Sequence, residues 1–197
     1  YSRKLLSFLQ LNWLRIIYME VSELALKGII ELRPRVFEDE RGYFFESYNE
    51  KVFADHGIDV RFVQDNQSFS TTGVVRGLHF QAPPYAQGKL VRVISGRVLD
   101  VVVDIRKESP TYGQSLSVEL TGTDQKMLYI PPGFAHGFSV LEDAVFQYKC
   151  SNLYHKASEM GIHPLDPDLN IFWGTGSPVV SAKDLELPAF QNFNSPF

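Results

Sequence analysis

The sequence predicts an all-β protein, an antiparallel sandwich or barrel with a few short peripheral helices. From Met19 onward the chain consists mostly of short runs in which apolar and polar residues alternate, as they do in half-buried strands. Glycine and proline separate these runs, and the longer periodicity of helices is scarce. Because 197 residues suffice for one domain with its own core, we expect a single domain over residues 19–197.

The strands are predicted from the apolar runs and the turns between them. Residues 89–105 are rich in Val on both sides of Ser95 and Gly96, a pair that suits a tight turn, so this stretch predicts a β-hairpin. Three more stretches alternate or run apolar over short lengths and predict strands at 115–120, 127–130 and 144–150.

Two short helices are predicted from residues that favour helix ends. Asn49 and Gly57 can begin and end a helix over the stretch between them. Ser181 can begin a second helix that ends near Leu187, and Ser181 with Asp184 has the spacing of a capping box. Neither helix is long enough to define the fold.

The first 18 residues differ in composition from the rest of the chain. They contain three basic residues and no acidic one, and Gln10, Asn12 and Arg15 interrupt their apolar run. The segment is too short and polar for a membrane span and lacks a signal-peptide cleavage site. We interpret residues 1–18 as an appendage or an incorrectly assigned start before Met19, outside the catalytic unit. The alternative is an amphipathic helix at a subunit interface.

Charge and cysteine content argue against several classes of protein. A net charge of -4 and a pI near 5.7 argue against a surface built to bind nucleic acid or an anionic membrane, so an anionic ligand needs a local basic cluster. The 44% hydrophobic content is typical of soluble globular proteins. The one cysteine, Cys150, excludes an internal disulfide and a Cys-rich zinc site, and a reducing cytoplasm is the expected location.

Two of the five histidines, His79 and His136, lie in motifs that suggest a cupin jelly roll. A metal-dependent cupin oxygenase needs three or four converging nitrogen and oxygen ligands. Such a site would have a second histidine at Gln81 and a glutamate near Lys89. The chain carries an amide and a cation instead, so we expect no metal, with the metal-dependent oxygenase kept as an alternative.

His79 and Lys89 can instead serve acid–base chemistry. A turn at residues 83–88 separates them, so an antiparallel return can bring the imidazole close to the ammonium. The imidazole can take a proton from a carbon beside a ketone while the lysine stabilises the developing enolate. The simpler interpretation is a hydrogen-bonded core histidine and a solvated lysine at a strand edge.

Tyr148 and Asp184 also have both structural and catalytic interpretations. Tyr148 shares a strand face with Ala144, Phe146 and Cys150, so its ring points inward, either to pack in the core or to act as a general acid. Asp184 can complete the capping box without any catalytic role. From the residues alone, the prediction stops at a non-metal β-barrel that can hold a His–Lys acid–base pocket.

Eight segments within residues 19–188 occur in the order and spacing typical of one enzyme family. They are residues 37–47, 62–66, 76–81, 87–92, 103–113, 132–138, 148–149 and 181–184. Together they resemble the dTDP-4-dehydrorhamnose 3,5-epimerases, nonmetal cupins that invert C3 and C5 of a nucleotide-linked 4-keto-6-deoxy sugar. The resemblance implies a cupin-type jelly-roll barrel, an isomerase without cofactor that acts in L-rhamnose biosynthesis, and a homodimer.

The resemblance implies a role for each of four catalytic candidates. His79 would be the base, and Asp184 its dyad partner, which holds the imidazole tautomer and stabilises the imidazolium. Lys89 would stabilise the enolate. Tyr148 would return the proton from the opposite face, as inversion requires.

The resemblance also implies contacts to a dTDP-linked substrate. Arg41 and Arg76 would neutralise pyrophosphate oxygens, which match guanidinium geometry, and Tyr154 would stack on the thymine. Less specific contacts to the nucleotide or sugar are expected from Glu46, Gln64, Asp65, Asn66, His136, Glu159 and Lys183. Asp65 is expected to contribute through its backbone, and a solvated surface position is the alternative for Glu159. Residues near the N-terminus of one chain are expected to reach the site of the other.

Three alternatives stay open at this point. The first is a monofunctional 3- or 5-epimerase that acts on a related nucleotide sugar. The second is the metal-dependent oxygenase, and the third is a noncatalytic module that binds the sugar nucleotide without exchanging its protons. The four catalytic candidates argue against the binding module.

Overall fold

The structure, a computed structural model, describes residues 19–197. The interpretation of residues 1–18 falls outside this range and stays a prediction. The strands within the described range are β1 (Met19–Glu23), β2 (Ile30–Pro34), β3 (Phe37–Asp39), β4 (Gly42–Phe44), β5 (Gln64–Ser70), β6 (Val74–Gln81), β7 (Lys89–Asp104), β8 (Ser115–Thr121), β9 (Met127–Ile130), β10 (Phe134–Cys150), β11 (Glu159–Gly161) and β12 (Val179–Val180).

Both predicted helices are present and begin at the predicted caps. The Asn49 carboxamide accepts backbone hydrogen bonds at the start of the first helix, and the Ser181 hydroxyl accepts one from Asp184 N, 3.1 Å away, at the start of the second. Within residues 19–197, no helix has the length and apolar character needed to span a bilayer. The helices are α1 (Glu50–Asp55) and α2 (Ala182–Leu185), and two 3₁₀ turns cover Lys156–Ser158 and Phe190–Asn192.

Two long strands, β7 and β10, hold the main sheet together. Ten of the described strands form this sheet, in the order β1-β2-β9-β7-β10-β6-β11 with β5, β8 and β12 attached at its sides, and all pairs except β12 with β6 are antiparallel. The first half of β10 pairs with β6 and the second half with β5. The halves therefore belong to two layers, and the core between them contains Val98 and Phe138 of one layer and Val91 and Phe146 of the other.

The predicted hairpin at residues 89–105 is wrong, because Lys89–Asp104 form the single strand β7. Both sides of Gly96 pair with β10, whose register shifts in the same region. Gly96 has a φ of +81°, and a Cβ there would clash with the carbonyl oxygen of Asp143. The glycine therefore permits two backbones to approach and bend together. The Ser-Gly signal marked a bend between layers rather than a reversal of the chain.

The other strand predictions are confirmed. Strands β8 and β9 cover the predicted stretches, and residues 144–150 form the second half of the longer β10. Ala144, Phe146 and Cys150 are buried and Tyr148 is half-buried on the same face. This face looks into the space between the layers, where the candidate site lies.

Candidate active site

A cavity of about 620 Å³ lies between the two layers and is lined by residues of β5, β6, β7, both halves of β10, β12 and the start of α2. All four candidate catalytic side chains reach it: His79, Lys89, Tyr148 and Asp184. The residues alone predicted only that His79 and Lys89 come close, and the family resemblance implied that Tyr148 and Asp184 join them. The strand pairing explains how residues so far apart in the chain meet.

His79 and Asp184 form a hydrogen-bonded pair at one wall. His79 Nε2 lies 2.7 Å from Asp184 Oδ1, and Asp184 Oδ2 accepts from the backbone of Gly77 at 3.4 Å. Burial alone would raise the pKa of Asp184, but the hydrogen bond and charge of His79 outweigh it and hold the pKa below its usual value. The carboxylate favours the tautomer with hydrogen on Nε2, which leaves the Nδ1 lone pair free to accept a proton.

The Asp184 side chain therefore does more than the capping-box interpretation requires. Only the hydroxyl of Ser181 makes its capping contact, to the backbone of Asp184. The Asp184 carboxylate points away from the helix start toward His79. Helix α2 thus holds Asp184 where its carboxylate contacts the imidazole of His79.

Lys89 approaches His79 in a way that differs from the predicted antiparallel return. Strands β6 and β7 are not neighbours, because both pair with β10, and Lys89 lies opposite Cys150 at the far end of that strand. Residues 82–88 instead carry the chain from one layer to the other. Lys89 Nζ then lies 3.4 Å from the His79 carbonyl oxygen, to which it donates. Burial lowers the pKa of Lys89, opposed by the charges of Cys150, Asp100 and Glu159.

Tyr148 stands in the layer opposite His79. The Lys89 ammonium lies 6.0 Å from the centroid of its ring. Burial raises the pKa of Tyr148, as do the charges of Cys150 and Glu159, while Arg76 has the opposite effect. The phenol therefore keeps its proton at neutral pH and can act as a proton donor.

Among the predicted binding residues, Asn66, Arg76, His136 and Lys183 line the cavity. Arg76 Nε donates to Ser70 Oγ at 2.9 Å, which fixes one edge of the guanidinium. His136 Nε2 lies 2.9 Å from Asp100 Oδ2. Burial lowers the pKa of His136, opposed by Asp100 and assisted by the cations nearby, so this imidazole is neutral at pH 7.

Three more predicted binding residues form a group at the rim of the cavity. Tyr154 Oη donates to Glu159 Oε2 at 2.9 Å, and Lys183 Nζ donates to the same oxygen at 2.8 Å. Gln64 accepts from the backbone of Tyr154 at 2.8 Å and donates to Asn66, a residue of the cavity wall. Glu159 is thus paired rather than solvated alone.

Arg41, Glu46 and Asp65 lie outside the cavity of their own chain. Arg41 is in the turn between β3 and β4, where its side chain is 84% exposed and paired with Asp39. Glu46 follows this hairpin and is exposed. Asp65 points to the outer face of β5, where it pairs with Lys149, because alternate residues of a strand face opposite sides.

Asp100 is a residue of the site that sequence reasoning missed. It is 1% exposed, and only one of its two carboxylate oxygens has a partner, the imidazole of His136. The sequence signal for Asp100 is an acidic residue inside a Val-rich strand. Asp104 carries the same signal but forms a salt bridge with Arg106 instead of contacting a histidine of the cavity. The pattern alone could not distinguish these two roles.

Gln81 is engaged differently from the metal ligand that some cupins have at its position. Its buried amide hydrogen-bonds to backbone groups of Tyr85, Leu153 and His155. In residues 19–197, no group of three or more His, Cys, Asp and Glu side chains is placed to hold a metal ion.

Comparison with known proteins shows which family the chain belongs to. A family model described as dTDP-4-dehydrorhamnose 3,5-epimerase matches residues 23–192. The chain belongs to this family. A dTDP-4-dehydrorhamnose 3,5-epimerase of Shigella flexneri is 52% identical over 169 residues, which are 85% of this chain and 93% of the relative.

Solved structures of 3,5-epimerases share the fold. The dTDP-4-dehydrorhamnose 3,5-epimerase of Elizabethkingia anophelis has a TM-score of 0.85 and 47% identity, over 90% of this chain and 99% of that one. The enzyme of Legionella pneumophila, solved with dTDP-4-keto-L-rhamnose, has a TM-score of 0.86 and 44% identity, over 89% of this chain and 95% of that one. The predicted cupin-type jelly roll and the isomerase class are thereby confirmed.

Proposed function

We propose that the protein inverts C3 and C5 of dTDP-4-dehydro-6-deoxy-D-glucose and forms dTDP-4-dehydro-L-rhamnose for L-rhamnose biosynthesis. One observation carries this proposal: a single cavity places the His79–Asp184 pair on one layer and the protonated Tyr148 on the other. Inversion needs a base on one face of the carbon and an acid on the other. This arrangement supplies both.

Each inversion proceeds through an enolate. His79 Nδ1 takes the proton from C3, and the electrons of the broken C–H bond move onto the oxygen of the C4 ketone. Tyr148 then donates its phenolic proton to C3 from the opposite face, and the enolate returns to the ketone. His79 gives up its proton to solvent, Tyr148 regains one, and the same steps repeat at C5.

Lys89 acts on the charge that develops during proton removal. Its ammonium is held within the cavity by the carbonyl oxygen of His79, close enough to both proton carriers to contact a ketone between them. A buried cation aimed at a developing oxyanion stabilises the transition state by several kcal/mol. His136, neutral and held by Asp100, is suited to hydrogen bonding with the sugar rather than to charge stabilisation.

The nucleotide would bind between the cavity and the rim. Arg76 and Lys183 supply positive charge for the diphosphate, which the acidic chain as a whole does not. Tyr154 offers an exposed ring on which thymine can stack. Gln64, Asn66 and Glu159 border the path between these groups.

We also propose a homodimer, in which Arg41 and Glu46 of one protomer reach the cavity of its partner. The hairpin β3–β4 supports this proposal because it exposes three aromatic rings, Phe37, Tyr43 and Phe44. An exposed apolar patch of this kind is typical of an interaction surface.

We further propose a cytoplasmic location, which the single free cysteine suits.

Turnover in heavy water tests the reaction. With the 4-keto substrate, we expect deuterium at both C3 and C5 of the product, measured by NMR and mass spectrometry. Deuterium at one carbon alone would indicate a monofunctional epimerase, and none at either carbon would contradict the proposal. His79→Ala should abolish exchange at both carbons, whereas unchanged turnover would refute the proposed base. Activity lost to a chelator would instead indicate a metal-dependent cupin.

A further inference from the structure

Gln81 joins three segments of the site through one buried side chain. It lies at the end of β6 and is 4% exposed. Its Nε2 donates to the carbonyl oxygens of Tyr85, at 2.7 Å, and Leu153, at 3.2 Å, while its Oε1 accepts from His155 N at 2.7 Å. Both donor hydrogens and the acceptor oxygen of the amide are therefore used.

Two of these contacts flank Tyr154. The carbonyl of Leu153 and the N–H of His155 are the backbone groups on either side of this tyrosine, and both bind Gln81. Residues 151–155 form no regular strand or helix, so no ladder of backbone hydrogen bonds holds them. Side chains hold them instead. Gln64 Oε1 accepts from Tyr154 N, and Gln87 Nε2 donates to the carbonyl oxygen of Asn152. The amide of Gln81 binds the backbone on both sides of Tyr154.

The third contact strengthens the same assembly from the other side. Gln81 binds the carbonyl of Tyr85, and the Tyr85 ring stacks on the imidazole of His155 with centroids 3.8 Å apart. Residues 82–88 are thereby joined to residues 151–155. The side chain of Tyr154 itself is exposed at the rim, where only Glu159 holds its hydroxyl.

We propose that Gln81 is a positioning residue for Tyr154, which it holds ready for the nucleoside of the substrate. The inference rests on the proposed function, in which Tyr154 stacks on the base. An exposed ring on an irregular segment would lose orientational freedom on binding, and a ring already fixed by its backbone avoids that loss. Gln81 therefore acts on substrate affinity rather than on proton transfer.

Substitutions of Gln81 separate this role from simple folding. Gln81→Glu keeps the acceptor for His155 N but sets a carboxylate against the carbonyls of Tyr85 and Leu153. Gln81→Leu removes the amide without adding charge and carries the test if the charged variant does not fold. Either change leaves the carbonyl oxygens of Tyr85 and Leu153 without the donor that Gln81 supplied, so we expect residues 151–155 to shift as these groups take other partners.

Gln125 provides a matched control. It is also a buried glutamine, and its Nε2 donates to the carbonyl oxygen of Gly122 at 2.7 Å in the turn between β8 and β9, outside the cavity. Gln125→Glu makes the same replacement of a buried amide by a carboxylate, and we expect it to lower stability too, but this side chain does not contact Tyr154. A loss of melting temperature is expected in both variants, but a change in affinity only in the Gln81 variant.

The experiment compares KM and kcat for the nucleotide sugar, and Kd for thymidine diphosphate measured by calorimetry. In Gln81→Glu we expect KM and Kd to rise about tenfold or more, with kcat within about threefold of the wild type. In Gln125→Glu all three should match the wild type. A kcat that falls while KM stays constant would overturn the inference, because it would place the effect at Lys89 or His79.

A double-mutant cycle then tests whether Gln81 acts through Tyr154. Tyr154→Ala alone should raise Kd for thymidine diphosphate, and adding Gln81→Leu should then change Kd by less than about twofold, because coupled residues are not additive. Full additivity would overturn the inference. Failure of the wild type to turn over the 4-keto sugar would refute the proposed reaction instead, and the Kd values would still decide the role of Gln81.

Discussion

The two proposed proton carriers have opposite surroundings. His79 is hydrogen-bonded to a carboxylate whose pKa is held low, so that carboxylate stays ionised and directs the imidazole lone pair away from itself. Tyr148 is half-buried with a raised pKa, so its hydroxyl stays protonated. The carboxylate of Asp184 and the phenol of Tyr148 are therefore held in the states that their proposed roles require.

Tyr148→Phe should separate proton removal from inversion. The variant keeps the ring and its packing but has no proton to donate, so we expect epimerisation to fall by about a hundredfold or more. His79 can still remove a proton and return one to the same face, so the recovered substrate should carry deuterium from heavy water without inversion. NMR of the recovered substrate checks this result. Normal epimerisation by the variant would show that another group is the acid.

The pH dependence of kcat should show that Lys89 is the first group of the site to lose its active protonation state at alkaline pH. Its pKa lies below the ordinary lysine value of about 10.4 and that of Tyr148 above the ordinary tyrosine value of about 10. Because burial favours the uncharged form of both groups, we expect the lysine to lose its positive charge before the phenol loses its proton as the pH rises. We expect kcat to decline below pH 10.4, measured over the range from about pH 7 to 11.

Lys89→Arg is the matching variant for this prediction. A guanidinium keeps its charge throughout the accessible range, so residual activity, although lower, should decline at a higher pH than in the wild type. A decline at the same pH in both proteins would assign it to another group. Tyr148 would then be the next candidate.

At the scale of elements, the site depends on the bends of β7 and β10. One half of β10 presents His136 and the other presents Tyr148, while β7 contributes Lys89 at one end and Asp100 beyond its bend. If either strand were straight, these residues would lie on one flat surface. The bend folds that surface into a cavity and sets the proposed proton donor, Tyr148, across from the proposed acceptor, His79.

Gly96→Ala should show how strongly the structure relies on this bend. The substitution combines an unfavourable positive φ with a clash against the backbone of Asp143, so we expect unfolding free energy to fall by about 2 to 4 kcal/mol. Gly57→Ala is the control, because Gly57 has a φ of +85° but open space around its missing Cβ, and about 1 to 2 kcal/mol is expected. Urea unfolding measures both, and equal losses would contradict a role for close backbone approach.

At the scale of the whole molecule, charge and exposure point to different partners. The net charge of -4 disfavours long polyanions, yet Arg76, Lys89 and Lys183 concentrate positive charge in one cavity, which suits a small diphosphate. The hairpin β3–β4 carries Arg41 outside that cavity, beside a patch of exposed aromatic rings. Both features are explained if the hairpin packs against a second copy of the chain and places Arg41 in the cavity of that copy.

Subunit complementation should test this arrangement. Arg41→Ala and His79→Ala would each inactivate a homodimer, one by removing the contact made across the interface and the other by removing the base. When the two variants are unfolded together and refolded in equal amounts, half of the dimers are mixed, and each mixed dimer has one complete site. We therefore expect about a quarter of wild-type activity to return. No recovery would place Arg41 in the site of its own chain, whereas full activity of Arg41→Ala alone would place it outside any site.

The sequence by itself determined the features that depend on near neighbours or on alternation along one strand. The helix caps at Asn49 and Ser181, the limits of β9 and the inward face of Tyr148 follow from such local rules. The motifs also identified the family, because their order and spacing survive in the linear chain.

Only the tertiary structure decided which side chains meet. Lys89–Asp104 form a bent strand rather than a hairpin, because pairing with β10 outweighs the local turn signal of Ser95 and Gly96. Asp100 forms a hydrogen bond with His136 and Asp104 a salt bridge with Arg106, although both are acids in the same strand. The physical reason is that strand pairing and burial join residues distant in the chain, and no local pattern records which partner lies across the sheet.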